Sequence, residues 1–199
     1  DVGNPDSDVL VRHHDAYVLA LRQAGVEVSV LDALEEFPDS LFVEDTALCL
    51  QEGAVVLRPG APTRFGESMA MAPHLGDVYS EVRQLTGPGF VEGGDILTAE
   101  TEILVGRSAR TNAEGIAELR EAVADWGYTV REVTTPPGVL HFKSDCSLLD
   151  GSTILSTPRL GASGCFEGYT VVDVAEGEEP AANSIRVNDV VFMPSGFPL

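Results

Sequence analysis

Two stretches of this chain set acids among apolar neighbours. FPDSLFVEDTA (37–47) carries Asp39, Glu44 and Asp45, and the Glu44–Asp45 pair interrupts an apolar run. FVEGGDIL (90–97) carries Glu92 and Asp95 on either side of two glycines. Turn chemistry accounts for Pro38-Asp39-Ser40. It accounts less well for Glu44–Asp45, because carboxylates gathered at one place repel unless a cation lies between them. A guanidinium suits that place, since its planar fork pairs bidentately with carboxylates. Two arginines stand nearby in sequence, Arg64 in RPGAPTRFGE (58–67) and Arg110 in GRSARTN (106–112). Surface pairing with acids explains them equally well. If they instead hold a carboxylate, acids and arginines together describe an arginine-like ligand.

GVLHFKSDCSLL (138–149) places His141 five positions before Cys146, which invites a thiol nucleophile and its base. As a strand, 139–146 would set His141, Lys143 and Asp145 on one face and Phe142, Ser144 and Cys146 on the other. Cys146 then reads as a small buried hydrophobe. Cys49, in an apolar strand, reads as core, and Cys165 in GASGCFEG reads as a loop residue with no histidine or lysine beside it. None of the three has the setting of a strong nucleophile.

The elements that must position these residues recur. FVEDTALCLQEGAVVLRPG (42–60), FVEGGDILTAETEILVGRS (90–108), HFKSDCSLLDGSTILSTPR (141–159) and PAANSIRVNDVVFMPSG (180–196) each read as a polar start and a β-hairpin. Asp45, Asp95 and Asp145 fall at an interval of 50, and Asn183 takes the comparable place 38 residues further on. Between hairpins the apolar period becomes helical. Helices are expected over 9–24 and 112–126, the second with Asn112 as N-cap, and a weaker one over 66–76 around Pro73. Short strands are expected at 26–31, 128–133 and 169–174, with little or no helix after Arg159. A strand–strand–helix–strand unit repeated about every 50 residues points to a radial array. Radial closure would bring the acidic hairpin starts together on an axis.

The 199 residues suffice for one domain, and 44% hydrophobic content fits a folded globular chain. A net charge of −20 argues against nucleic acid as a partner. No apolar run is long enough to span a membrane. Three cysteines without framework spacing suggest a reducing, cytoplasmic setting, and no zinc-type grouping is visible.

FPDSLFVEDTAL, RPGAPTRFGE, EGGDIL, GRSARTNAEG, LHFKS and AANSIRVN, in this order, resemble the dimethylarginine dimethylaminohydrolases. This family belongs to the guanidine-modifying pentein superfamily. The resemblance implies an α/β fold, a five-bladed propeller of ββαβ modules with its active site on the axis. By the same resemblance, His141 is the general acid and base and Glu92 its orienting carboxylate. Asp45, supported by Glu44, would hold the guanidinium, Asp39 would line the site, and Arg64 and Arg110 would bind the α-carboxylate. Neither metal nor organic cofactor is implied. The partner is a small molecule, a methylated arginine, with a homodimer left open.

Against the family pattern, about four of five modules are present, and residues 1–199 read as one incomplete pentein domain. An N-terminal strand and a C-terminal module are the expected missing parts. The family's nucleophilic cysteine is expected beyond Leu199, so the 199-residue chain is expected to be inactive alone. Other readings are an arginine deiminase, an amidinotransferase, or a non-catalytic pentein binding module.

Overall fold

The computed structural model describes residues 6–197. Helix α1 (Ser7–Gln23) is capped by Asp6, whose carboxylate accepts the N–H groups of Asp8 and Val9. Only Val18 of this helix is buried. The strand expected at 26–31 does not form: this stretch pairs with no strand among the described residues. Its alternating valines have strand propensity, but a strand exists only with a ladder partner.

From residue 43 onward one unit repeats. A 3-10 turn at Val43–Thr46 leads into β1 (Ala47–Cys49) and β2 (Ala54–Val56). Helix α2 (Phe65–Val78) then crosses back to β3 (Val82–Gln84). The second unit has a turn at Gly93–Asp95, β4 (Ile96–Ala99), β5 (Glu102–Arg107), α3 (Ala113–Val123) and β6 (Thr129–Thr134). The third has a turn at Phe142–Ser144, β7 (Cys146–Leu148), β8 (Thr153–Ser156), the single-turn α4 (Pro158–Gly161) and β9 (Thr170–Asp173). A last turn, Glu179–Ala182, precedes the hairpin β10 (Ile185–Val187) and β11 (Val190–Phe192).

In each complete unit the first two strands are antiparallel and the third runs parallel to the second. The parallel step requires the crossover helix. Among the described residues the strands form three separate three-stranded sheets and one hairpin, and none of these sheets closes on itself.

Pro73 sits inside α2 without ending it, and the last turn still closes from Tyr79 N–H to the Leu75 carbonyl. Asn112 caps α3 as expected, accepting the Gly115 N–H at 2.9 Å. A 3-10 turn, Ala124–Trp126, follows the helix and ends at Gly127, whose φ of 87° suits glycine.

The core lies between successive units. Leu48, Leu50, Val55 and Leu57 of the first meet Ile96, Ile103, Ile116, Leu119 and Val130 of the second. Leu97, Leu104 and Val133 then meet Phe142, Cys146, Ile154 and Phe166 of the third. The four 3-10 turns that open the units pack against one another in chain order. Among the described residues, no helix is long and apolar enough to cross a membrane.

Candidate active site

The aligned turns carry the site. Asp45 lies buried within its turn, and its Oδ1 accepts the N–H of Gly94 in the next unit at 2.8 Å. Asp95 repeats the contact one unit on, its Oδ1 accepting the Phe142 N–H at 2.8 Å. Asp45 and Asp95 thus each tie their turn to the next, whereas Asp145 bonds Thr157 and Arg159 of its own unit. His141 stands just before the third turn in extended backbone, with φ −132° and ψ 151°. The stretch 139–146 is therefore not the continuous strand that the alternation suggested, because the 3-10 turn intervenes.

Gly94 is what lets His141 approach. A Cβ there would lie 2.8 Å from Asp45 Oδ1 and 2.9 Å from His141 Cγ. Gly93 likewise leaves room for the Glu44 carbonyl, which a Cβ would meet at 2.0 Å.

Glu92 is fully buried. Its Oε2 lies 2.7 Å from His141 Nε2. Its Oε1 accepts the N–H groups of Gly60 at 3.0 Å and Ala61 at 3.1 Å, and Arg110 Nη1 at 3.3 Å. Burial pushes this carboxyl up, but the His141 hydrogen bond, the Ala61 N–H and the charges of Arg110 and His141 hold it below its ordinary value. For His141, burial pulls down, yet the Glu92 hydrogen bond and the charges of Asp45, Asp95 and Glu92 raise it above its ordinary value. The pair therefore favours imidazolium beside carboxylate. One ligand atom from each of Asp45, Glu92 and His141 lies within 4.8 Å of the other two. Such a group could meet a single small cation, and its direct bonds to backbone N–H groups and to one another equally suit a planar cationic ligand.

Asp45 and His141 open on a cavity of about 1530 Å³, also lined by Asp39, Glu44, Arg64, Arg110, Phe42 and Leu140, while Glu92 stays buried. The Arg110 side chain is 34% exposed, the more accessible of the two arginines. Arg64 is 3% exposed. Its Nη1 lies 2.5 Å from Asp45 Oδ2, its Nε and Nη2 bond Glu67, and Nη2 also donates to the Asp39 and Phe42 carbonyls. One N–H of Nη1 is left over. Asp39 and Glu44 are exposed, and Glu44 pairs with Lys143 at 2.6 Å.

A family model described as "N,N dimethylarginine dimethylhydrolase, eukaryotic" matches residues 6–141. The N(G),N(G)-dimethylarginine dimethylaminohydrolase of Pseudomonas aeruginosa is 35% identical over 198 residues, covering 99% of this chain and 78% of its own length. The chain belongs to the dimethylarginine dimethylaminohydrolase family. The enzyme of the same name from Streptomyces coelicolor is 34% identical, with 86% of this chain and 67% of that protein covered. A P. aeruginosa structure, a cysteine-to-serine mutant complexed with citrulline, superposes with a TM-score of 0.95, covering all of this chain and 78% of the other. At 18% identity, a cyanobacterial arginine dihydrolase domain has a TM-score of 0.80, with 94% of this chain and 72% of that one covered, which shows the shared α/β fold.

The dimethylaminohydrolase fold thus gathers Asp45, Glu92, His141 and Arg110 from four separate stretches. Asp39 and Glu44 stand at the cavity wall with their side chains outside this group. Cys146 is fully buried, and burial pushes its thiol well above the ordinary range. Cys165 lies in a turn, half-buried.

Cys49 corrects the sequence reading: it is exposed, not core. Leu48 and Leu50 take the buried positions beside it, so alternation along β1 turns Cys49 to the cavity side. Burial of its surroundings raises that thiol, partly offset by a bond to Tyr79.

Sequence reasoning missed the Gly60 and Ala61 N–H groups that hold Glu92. Only the two small residues of RPGAP hinted at such close backbone approach. It also missed Ser108 and Thr111, which stand in the same GRSARTN stretch as Arg110.

Proposed function

We propose that this chain forms the substrate-binding and acid–base part of an enzyme that hydrolyses Nω-methylated arginine to citrulline and methylamine or dimethylamine. The observation that carries the reading is the convergence of Asp45, Glu92 and His141 within 4.8 Å, beside a cavity lined by Asp45, His141 and Arg110. Asp45 holds the guanidinium by opposite charge. Arg110 meets the α-carboxylate. Arg64 lines the same cavity with one spare N–H, and it contributes more only by exchanging an internal partner. Asp39 and Glu44 line the entrance. The modules of one pentein domain, arranged as blades about this axis, supply Asp45 from the first, Glu92 and Arg110 from the second and His141 from the third.

The chemistry follows from charge. A guanidinium held cationic by Asp45 has an electrophilic carbon. A cysteine thiolate adds to it, and imidazolium at His141 gives its proton to the departing amine. The resulting S-alkylthiouronium is attacked by water, one of whose protons His141 takes back while the other passes to solvent, and the thiolate leaves. None of the chain's own thiols is set for this role. Cys146 and Cys165 lie off the cavity, and Cys49 is on the order of 10 Å from Asp45 along β1. The 199-residue chain alone therefore releases no dimethylamine. No metal or organic cofactor takes part, and the setting is cytoplasmic.

Calorimetric titration with asymmetric dimethylarginine tests this. Binding is expected, and it weakens by about tenfold or more in Asp45→Ala and Arg110→Ala, each of which removes a charged contact. Equal affinity for an arginine analogue lacking the guanidinium would sink the reading. Dimethylamine released by the chain alone would overturn the assignment of its cysteines.

A further inference from the structure

Asp95 is an acid that the reaction above does not use. It is fully buried. Its Oδ1 accepts the Phe142 N–H at 2.8 Å, and its Oδ2 accepts the Ser108 hydroxyl at 2.6 Å. The Ser108 hydroxyl passes the connection on. Ser108 Oγ accepts the Arg110 N–H at 2.9 Å. A hydroxyl can do this because it donates once and still accepts.

The other interval aspartates differ. Asp45 spends an oxygen on Arg64, and Asp145 is paired with Arg159. Asp95 has no arginine or lysine partner among the described residues, only one backbone N–H and one hydroxyl. Leaving a buried carboxylate without a directly paired cation is costly unless its hydrogen bonds are well made. Here those bonds lead to two separate stretches, and each bears a residue of the site.

We infer that Asp95 is a positioning residue of the site, one carboxylate that sets His141 and Arg110 in register by gripping the backbone beside the first directly and at the second through Ser108. The inference rests on the functional reading for what those two residues do, while the grip itself is independent of it.

Amide hydrogen exchange and citrulline binding test the two parts separately. In Asp95→Ala, exchange at Phe142 and Arg110 is expected to speed up by about tenfold or more, with amides of β8 and β9 unchanged. Ser108→Ala is expected to speed exchange at Arg110 and leave Phe142 protected. Asp95→Asn keeps the volume and one acceptor, so Phe142 stays protected while Arg110 loosens; this variant decides the matter if the alanine variant does not fold. Citrulline, the probe ligand, is expected to bind Asp95→Asn more weakly than the unaltered chain. Unchanged exchange at both amides, or faster exchange spread evenly over all sheets, would overturn the grip. Citrulline failing to bind the unaltered chain would sink the functional reading and leave the exchange result to judge Asp95.

Discussion

Glu92 and His141 act as one charged unit, and their shifts have opposite signs. A histidine raised in the folded state stabilises the fold below its ordinary 6.5, and that contribution is lost as pH rises through the raised value. A glutamate lowered in the folded state stabilises above its ordinary 4.5, and that contribution is lost as pH falls through the lowered value. The pair therefore contributes most between those two ordinary values. His141→Ala should cost more stability at about pH 6 than at about pH 9, read by urea unfolding at each pH. A difference independent of pH would contradict the ionised pair. The role of Arg64 was not legible in sequence for a related reason. Glu67 becomes its partner only because the 3-10 turn Pro62–Arg64 runs straight into α2, stacking positions 64 and 67.

At the scale of the element, the 3-10 turns decide what the site can be. Their start was legible in the interval between Asp45, Asp95 and Asp145, because each aspartate does structural work at its turn. The turns themselves were not, since three residues carry too little periodicity to separate a 3-10 turn from a strand. Gly94→Ala should disrupt the site while leaving the sheets intact, because the new Cβ meets Asp45 Oδ1 and His141 Cγ below 3.0 Å. Loss of ligand binding with unchanged far-ultraviolet circular dichroism is the expected result. Helix α3 was legible down to its cap. Asn112 also accepts the Phe90 N–H at 3.0 Å, so Asn112→Ala should cost about 1–2 kcal/mol in urea unfolding. The segment 26–31 shows the opposite case, in which propensity without a partner strand yields no strand.

Over the whole molecule, the repeated unit was legible because hairpin, helix and strand each leave their own period in the sequence. The exposure of Cys49 was not legible, since both faces of β1 carry apolar residues and only the packing between units decides which face is core. The net charge of −20 sets two further properties. It favours a cationic ligand on approach, and it strains the fold by self-repulsion. Raising salt from about 0.05 M to about 0.5 M should raise the Tm, because screening shortens the reach of that repulsion; a falling Tm would show that attractive ion pairs dominate instead. The central claim concerns where a methylated guanidinium sits, and nuclear Overhauser contacts from the N-methyl protons of bound dimethylarginine report this directly. Contacts to the His141 ring and the Gly94 amide are expected. Contacts only elsewhere, such as to Phe65 and Met69 beside Arg58, would contradict it.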